Sequence, residues 1–353
     1  MDLQLLRDLK VRFPVIQAPM SGTSTPTLAA AVSNAGGMGS LGLAACDVEQ
    51  ARAEIRRTRE LTDGPFNVNF FCHETPASDT QLESAWLEYL APLFQEVGAD
   101  APSTLKEPYI SFNDNPAMAD MLQQERPPVV SFHFGIPSGH VIRQLKEAGI
   151  VLMATATTLD EARRIEQAGL DIIVAQGVEA GGHRGVFDPH DQDQGMTTLA
   201  LVRLLTARVG LPVMAAGGIM DGRGIRAALE LGACAAQMGT AFILCPESAA
   251  SDAYRRTLAS DRALHTQITA VASGRPARGI VNRLHTSIDG PSRPAQPAFP
   301  ICYTATKALQ KAAASRGNHD FASHWAGQGA PLARAMPAAE LVALLVRELK
   351  EQH

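Results

Sequence analysis

Short apolar runs alternate with helical patterns along most of this chain, and this rhythm limits its possible folds more than any other feature. The runs lack the polar alternation of half-exposed strands, so both faces of each strand are expected to be covered. They occupy Pro14–Met20, Gly39–Leu43, Phe66–Phe71, Val129–Phe134, Val151–Ala156, Asp171–Gln176, Pro212–Ala216 and Ala235–Met238. Eight strands separated by helices over roughly 240 residues is the pattern of a (β/α)8 barrel. A doubly wound open sheet shares this alternation and is the competing architecture.

We predict an α/β fold in which a (β/α)8 TIM barrel occupies residues 1–244 and carries an insertion at 73–108. After Cys245 the alternation stops, and segments rich in Pro, Gly and Arg are interspersed with helices near Thr306–Ser315 and Ala338–Glu351. No flexible linker precedes this part, which argues against a separate domain. Residues 245–353 are therefore predicted to form a C-terminal helical appendage at the barrel mouth that contributes to the substrate pocket.

Composition excludes several classes of protein. The 353 residues include 31 Lys and Arg against 36 Asp and Glu, and this net charge of −5 argues against nucleic-acid binding through basicity. Five cysteines without a CxxC pair fit neither a disulfide framework nor a zinc ribbon. The N-terminus has no secretory pattern, and no apolar stretch reaches the roughly 18 residues of a membrane span. We expect a cytoplasmic protein without nucleic-acid or membrane partners, and its oligomeric state stays open.

Gly37–Gly42 matches the GxGxxG pattern of dinucleotide-binding proteins. That fingerprint must follow a strand and open a helix, whereas this segment follows a predicted helix and leads into a strand. Close packing of the helix on the strand explains these glycines better.

Glycine turns end the last two predicted barrel strands, at Gly217–Gly218 and at Gly239. In such barrels the corresponding loops, with the N-terminus of a short helix, form a phosphate site. Glycine lets backbone N–H groups approach phosphate oxygens, and the Thr240 hydroxyl can donate a further hydrogen bond. We predict a phosphate site here, with tight turns alone as the alternative.

The segment Gln176–Gly185 follows a predicted strand and surrounds His183 with glycines. Imidazole titrates near pH 6.5, so it can accept a proton or donate a hydrogen bond to an anion. We therefore predict that His183 is catalytic. Glu179 and Arg184 are expected to form a solvated ion pair. The acidic loop 188–193 has too few ligands for an oxygen-ligand metal site, so no metal is predicted.

Other polar residues are placed at the same predicted mouth. The amide side chains of Asn69 and Gln176 suit the amide-like edge of a heterocycle. His133 either lines the site or is a satisfied core residue. Tyr303 and Lys307 stand one helical turn apart and can present a hydroxyl and a cation on one face, although a surface role for Lys307 stays open.

Six segments together resemble the class I nitronate monooxygenases, formerly called 2-nitropropane dioxygenases. They are QAPMSG at Gln17–Gly22, FNVNFF at Phe66–Phe71, SFHFGIP at Ser131–Pro137, AQGVEAGGHRG at Ala175–Gly185, AAGGI at Ala215–Ile219 and QMGTAF at Gln237–Phe242. The resemblance continues to WAGQGAPLAR at Trp325–Arg334 and so covers essentially the whole chain. The EAGGHRG and FHFG segments are specific, whereas AAGGI and the Gly-Thr turn are shared with other FMN barrels.

The resemblance implies an FMN enzyme that oxidises alkyl nitronates with O₂ to carbonyl compounds plus nitrite or nitrate. It also implies propionate 3-nitronate as the favoured substrate and detoxification as the role. By the same resemblance, the phosphate would lie on Gly218, Gly239 and Thr240, and His183 over the reactive face of the flavin. The full set implied for the cofactor is Ala18, Pro19, Met20, Ser21, Gly22, Asn69, Gln176, Gly181, Gly182, Gly217, Gly218, Gln237, Met238, Gly239 and Thr240. The set implied for the substrate is Tyr109, Tyr303 and Lys307, and His133 joins it as a prediction from its place at the mouth.

Two alternatives belong to other functional classes. One is an NAD(P)H-dependent FMN quinone or enoyl reductase on the same barrel. The other is a non-catalytic regulator that binds FMN or phosphate, although a regulator has no need of a titratable histidine beside the ligand.

Overall fold

Eight parallel strands form one sheet that closes into a barrel. The structure is a computed structural model and describes residues 4–351. The barrel strands are β1 (Val15–Gln17), β2 (Gly39–Gly42), β3 (Phe66–Phe71), β4 (Val129–His133), β5 (Val151–Ala156), β6 (Ile172–Gln176), β8 (Val213–Ala216) and β9 (Ala235–Met238). Neighbouring strands follow the order β1-β9-β8-β6-β5-β4-β3-β2, and a parallel bridge from Ile16 to Met38 joins the two edges. The predicted barrel is confirmed, and closure excludes the open sheet.

A second, three-stranded sheet lies outside the barrel. It consists of β7 (Gly182–His183), β10 (Thr266–Thr269) and β11 (Ala277–Ile280), with β11 in the middle and both pairings antiparallel. This sheet connects the loop after β6 to the C-terminal segment, and it holds His183 on its edge.

Helices alternate with the barrel strands and continue into the C-terminal segment. The α-helices are α1 (Gln4–Asp8), α2 (Pro26–Asn34), α3 (Val48–Leu61), α4 (Thr80–Glu96), α5 (Pro116–Glu125), α6 (Gly139–Glu147), α7 (Leu159–Gln167), α8 (Thr198–Thr206), α9 (Gly222–Glu230), α10 (Thr240–Ile243), α11 (Asp252–Leu258), α12 (Ile301–Ala314) and α13 (Ala338–Lys350). Short 3₁₀ turns lie at Phe112–Asp114, Asp261–Leu264 and Ala330–Leu332, and a π-helix at Leu284–Ile288. Within residues 4–351, no helix combines the length and apolar character needed to cross a bilayer.

The first strand–helix–strand unit shows how local sequence fixes the barrel. The Thr25 hydroxyl accepts a hydrogen bond from the Leu28 N–H at 2.9 Å and caps α2, whose first turn begins with Pro26. A Cβ atom on Gly39 would lie only 2.0 Å from the Ala29 carbonyl oxygen. The glycines of Gly37–Gly42 therefore permit α2 to pack on β2, and this confirms the packing explanation.

Two alternating sets of apolar side chains on the barrel strands form the core. One set, with Val130, Leu152 and Ile173, packs with side chains from the surrounding helices. The other, with Met153 and Met214, joins Leu6 and Val11 from the N-terminal segment in a separate cluster. Apolar side chains therefore fill the barrel interior near its N-terminal end, and the open space is left at the mouth.

The C-terminal segment divides into two parts. Helix α12 shares a core with the insertion helix α4, through side chains such as Trp86, Phe94 and Leu309. Helix α13 instead packs against α9 and α2. The α10 helix after β9 has only four residues and cannot cover the barrel there, so α13 fills that place in the outer ring. A division at residue 244/245 stays a prediction.

Candidate active site

A cavity of about 450 Å³ opens at the C-terminal ends of the barrel strands. Barrel active sites lie at this end because the loops after the strands meet there. Every residue predicted from the sequence for catalysis, cofactor or substrate lines this cavity. The barrel supplies the floor and most of the wall. Tyr109, just after the insertion, and Tyr303 and Lys307 from α12 add to the wall.

One part of the cavity wall is made by glycine turns. Gly217 and Gly218 follow β8 with φ of +130° and +70°, which L side chains rarely adopt. Gly239 follows β9 and leads directly into α10 at Thr240. The first N–H groups of a helix have no partner within that helix. The Thr240 hydroxyl oxygen accepts a hydrogen bond from Gly327 N–H at 3.0 Å, so its own hydrogen remains available to a ligand.

The turn Met20–Gly22 is held from below by Gln17, a fully buried side chain. Gln17 Oε1 accepts from Ser40 N–H at 2.7 Å, and its Nε2 donates to Ser24 Oγ at 3.0 Å. Ser24 Oγ also accepts from Met20 N–H at 3.0 Å. Buried polar contacts of Gln17 and Ser24 thus fix this turn.

Asn69 presents an acceptor to the cavity. Its Nδ2 donates to Ser131 Oγ at 2.9 Å and approaches the Ser131 carbonyl oxygen at 3.2 Å. Its Oδ1 has no partner within residues 4–351, so it is free to accept a hydrogen bond from a ligand N–H.

The loop after β6 is organised by Arg184, which is 1% exposed. Its Nε donates to Asp193 at 2.6 Å and its Nη1 donates to Gln176 Oε1 at 3.0 Å. Glu179 instead accepts from Thr198 N–H at 2.9 Å and from Thr198 Oγ1 at 2.8 Å. The predicted solvated Glu179–Arg184 pair is wrong, because the arginine turns inward to satisfy carbonyl and carboxylate oxygens of its own loop.

Gln176 holds the loop rather than pointing freely at a ligand. Its Nε2 donates to the His183 carbonyl oxygen at 2.9 Å, and its Oε1 also accepts from Gly185 N–H at 2.8 Å. One N–H of the amide remains for a ligand. The flavin contact expected of Gln176 stays a prediction.

His183 lies among aromatic rings at the cavity wall. The ring centroids of Trp325, Phe299 and Phe134 are 5.4, 5.6 and 5.8 Å from that of the imidazole. Its Nε2 lies 2.8 Å from Ser273 Oγ. Burial lowers the pKa of His183 to about 3, and the electrostatic influence of His133, Arg275 and Lys307 acts in the same direction. The imidazole is therefore neutral at ordinary pH and can accept a proton.

His133 both lines the cavity and has its ring nitrogens satisfied by protein groups. Its Nε2 donates to the His183 carbonyl oxygen at 3.2 Å, since a carbonyl can only accept. Its Nδ1 then accepts from Thr155 Oγ1 at 3.0 Å. Burial lowers the pKa of His133 to about 4. This ring therefore helps to fix His183, and neither of its nitrogens is free for a substrate.

Lys307 brings a positive charge to the outer part of the cavity. Its Nζ lies 4.3 Å from the Tyr303 ring centroid and 5.7 Å from that of Tyr109. Among residues 4–351, no carboxylate lies within 4.0 Å of this ammonium. Desolvation lowers its pKa from the ordinary value. A cation over two aromatic faces and without an acidic partner is suited to binding an anion.

Comparison with known proteins decides the family. The family model described as nitronate monooxygenase matches residues 4–348. The chain belongs to the nitronate monooxygenase family. Nitronate monooxygenases from Pseudomonas aeruginosa and Paraburkholderia phytofirmans are 58% and 54% identical to it. The alignments cover 98% of this chain in both cases, and 98% and 95% of the relatives.

Solved structures share this fold. A nitroalkane oxidase from Streptomyces ansochromogenes superposes with a TM-score of 0.88 at 40% identity, over 98% of both chains. FabK from Thermotoga maritima superposes with a TM-score of 0.73 at 28% identity, over 98% of this chain and 95% of that one. The resemblance found in the sequence is confirmed. The chain is therefore an oxidoreductase of this family, and the non-catalytic alternative is set aside.

Four residues that contact the site residues without lining the cavity were missed in the sequence. They are Gln17, Ser273, Arg275 and Phe299. Gln17 had a detectable signal, because a glutamine within an apolar strand must find buried hydrogen-bond partners. Ser273 and Arg275 had none, since nothing local links them to His183, which lies 90 residues before Ser273.

No metal site accompanies this arrangement within the described part of the chain. Among residues 4–351, no three His, Cys, Asp or Glu side chains are grouped so that they could hold an ion.

Proposed function

We propose that this enzyme binds FMN at the barrel mouth and uses O₂ to oxidise alkyl nitronates to carbonyl compounds plus nitrite or nitrate. Propionate 3-nitronate is the proposed substrate and detoxification the proposed role. The observation that carries the proposal is a single cavity with glycine turns in one wall and a neutral imidazole and an unpaired ammonium in another.

The residues of the cavity fit FMN. A phosphate would be held by backbone N–H groups at Gly218, Gly239 and Thr240, where α10 begins and the helix dipole favours an anion. The Met20–Gly22 and Gly181–Gly182 turns both line the cavity. They would therefore lie on either side of the flavin ring system. Asn69 Oδ1 would accept from a ring N–H, and Gln176 retains one donor. Bound FMN would supply the acceptor for the substrate's electrons and pass them to O₂.

The protein's own part is orientation and proton transfer. A nitronate is already an anion, so it needs placement more than activation, and Lys307 supplies the opposite charge. A neutral nitroalkane must first lose an α-proton, and His183 is the base available at the cavity wall. The low pKa of His183 makes it a weak base. We therefore expect nitronates to be better substrates than the corresponding nitroalkanes.

The pKa of His183 gives a test by pH. A lowered pKa keeps the imidazole in its basic form until the pH falls well below the ordinary value near 6.5. We expect kcat/KM for nitroethane to show no acid-side decline between about pH 8 and pH 5. The measurement is initial-rate oxygen uptake over that range. A decline centred near pH 6.5 would show that His183 is not held neutral.

Lys307→Met should affect substrates in the order of their negative charge. Propionate 3-nitronate carries two charges, ethylnitronate one and nitroethane none. We expect KM to rise by about tenfold for the first, corresponding to about 1.4 kcal/mol, by less for the second, and hardly at all for nitroethane.

The matched control for this substitution is Lys311→Met, one turn further along α12 on an exposed side chain. It removes the same charge and should leave all three KM values unchanged. An equal rise in KM for charged and neutral substrates would mean that Lys307 acts through packing instead.

The proposed function is tested by the visible absorption spectrum of the purified protein, followed by oxygen uptake on adding propionate 3-nitronate. A flavin spectrum and rapid uptake are expected. The reductase alternative predicts that NADH bleaches the flavin rapidly without air, whereas the proposed function predicts little reaction. Flavin without nitronate-dependent oxygen uptake would contradict the proposal.

A further inference from the structure

Ser273 is a fully buried residue whose hydroxyl touches His183. It lies in the turn between β10 and β11, and its Oγ is 2.8 Å from His183 Nε2. The same oxygen is 3.2 Å from the Arg275 carbonyl oxygen and 3.3 Å from the Arg275 nitrogen. Three polar atoms thus surround one hydroxyl group.

The hydrogen-bond inventory of a hydroxyl decides how these contacts are made. A serine has one hydrogen to donate and two lone pairs to accept. The Arg275 N–H can only donate to Oγ, and the Arg275 carbonyl can only accept from it. If the hydroxyl hydrogen goes to that carbonyl, the remaining lone pair accepts from His183 Nε2–H, and all three contacts are satisfied.

The opposite arrangement leaves a defect. If the hydroxyl donated to Nε2, the Ser273 and Arg275 oxygens would face each other at 3.2 Å without a hydrogen between them. Buried polar atoms without hydrogen-bond partners are disfavoured. The arrangement in which Nε2 carries the hydrogen is therefore preferred.

The backbone of His183 is fixed independently of its ring. His183 pairs with Ala277 across β7 and β11, and its carbonyl oxygen accepts from Gln176 and from His133. Ser273 therefore acts on the ring alone. Within residues 4–351 His183 Nδ1 has no hydrogen-bond partner, and it is not among the fully enclosed polar atoms. That nitrogen is left to the cavity.

We propose that Ser273 is a positioning residue, which holds His183 with a hydrogen on Nε2 and presents the bare Nδ1 to the substrate. The atom that accepts the α-proton of a nitroalkane is then Nδ1, so the ring becomes an imidazolium. The electron pair of the broken C–H bond forms the C=N bond of the nitronate, whose negative charge lies on its oxygens. This inference rests on the proposed function for the role of His183, whereas the tautomer itself does not depend on it.

The tautomer is measured directly on the flavin-loaded protein by long-range ¹H–¹⁵N correlation NMR with ¹⁵N-labelled histidine. His183 is assigned among the ten histidines as the signal that is missing in His183→Asn. In the parent we expect a protonated Nε2 and a bare Nδ1. In Ser273→Ala we expect a mixture of both tautomers, because the hydroxyl that selects one of them is gone.

Kinetics supply the second readout. Ser273→Ala should lower kcat/KM for nitroethane by about tenfold, the effect of one net hydrogen bond, and that for ethylnitronate much less. Ser273→Cys retains a side chain of similar size but replaces the hydroxyl with a thiol, which is a weaker hydrogen-bond partner. Its kcat/KM for nitroethane should lie between those of the parent and Ser273→Ala. It also serves as the second variant should the alanine protein unfold. Ser33→Ala removes another buried hydroxyl, which bonds Pro65 and Gly39, and should leave the His183 signals unchanged.

The outcomes separate the two claims. A parent His183 protonated on Nδ1, or a Ser273→Ala spectrum identical to the parent, overturns the role of Ser273 whatever the enzyme oxidises. Absence of nitronate oxidation by a parent with the expected tautomer would overturn the proposed function, but not the assignment of Ser273 as the group that sets the ring.

Discussion

His183→Asn should keep FMN bound and lower kcat/KM for nitroethane by about 10²–10⁴-fold, the usual contribution of a positioned base. Asparagine retains a polar side chain of similar reach beside Ser273 but cannot accept a proton from carbon. Oxidation of ethylnitronate should fall much less, because that substrate needs only orientation. The measurement is steady-state oxygen uptake with both substrates, alongside the flavin-to-protein absorbance ratio.

The control for this experiment is His140→Asn, on an exposed residue of α6. The same substitution there should leave both substrates and the flavin content unchanged. Equal activity of parent and His183→Asn on nitroethane would contradict the role of His183. Loss of flavin from His183→Asn would show that the residue holds the cofactor rather than moving a proton.

Gly218→Asp should weaken FMN binding by about 1,000-fold. The new carboxylate would stand in the proposed phosphate site, and two like charges about 4 Å apart repel by about 4 kcal/mol near a protein surface. The backbone adds a second effect, because Gly218 has φ of +70° and a Cβ there would lie 3.2 Å from Glu179 Cβ. The dissociation constant is measured by titrating flavin-stripped protein with FMN and following fluorescence.

Gly149→Asp is the control that separates charge from strain. Gly149 lies between α6 and β5 with φ of +81°, and no atom lies within 4 Å of the Cβ position. The substitution introduces the same carboxylate and similar backbone strain at the opposite end of the barrel. It should lower stability slightly and leave FMN affinity unchanged. Equal loss of affinity in the two variants would remove the case for a phosphate at Gly218.

Much of the fold was predictable because its signals are local. The apolar runs predicted as strands at Phe66–Phe71 and Val151–Ala156 have the same bounds as β3 and β5 in the structure. A strand that is covered on both faces is apolar along its whole length, so its ends are visible in the sequence. The side chain that caps α2, Thr25, is likewise next to the helix in the sequence. The cavity lining was also within reach, because polar residues and glycines at the ends of successive barrel strands must converge at one mouth.

The remaining features depend on contacts between distant parts of the chain. Arg184 pairs with Asp193 and not with Glu179, because Thr198 already donates a hydrogen bond to Glu179. The sequence separation of these residues does not show which pair forms. The place of α13 beside α2 and α9 follows from the shortness of α10, more than 90 residues earlier. Ser273 reaches His183 only because β11 pairs with β7.

The most direct test of the account is a crystal structure of the FMN-loaded enzyme. We predict flavin across the barrel mouth, its phosphate on the N–H groups of Gly218, Gly239 and Thr240, and the His183 ring against the isoalloxazine. Flavin bound elsewhere, or a His183 side chain turned away from it, would contradict the account.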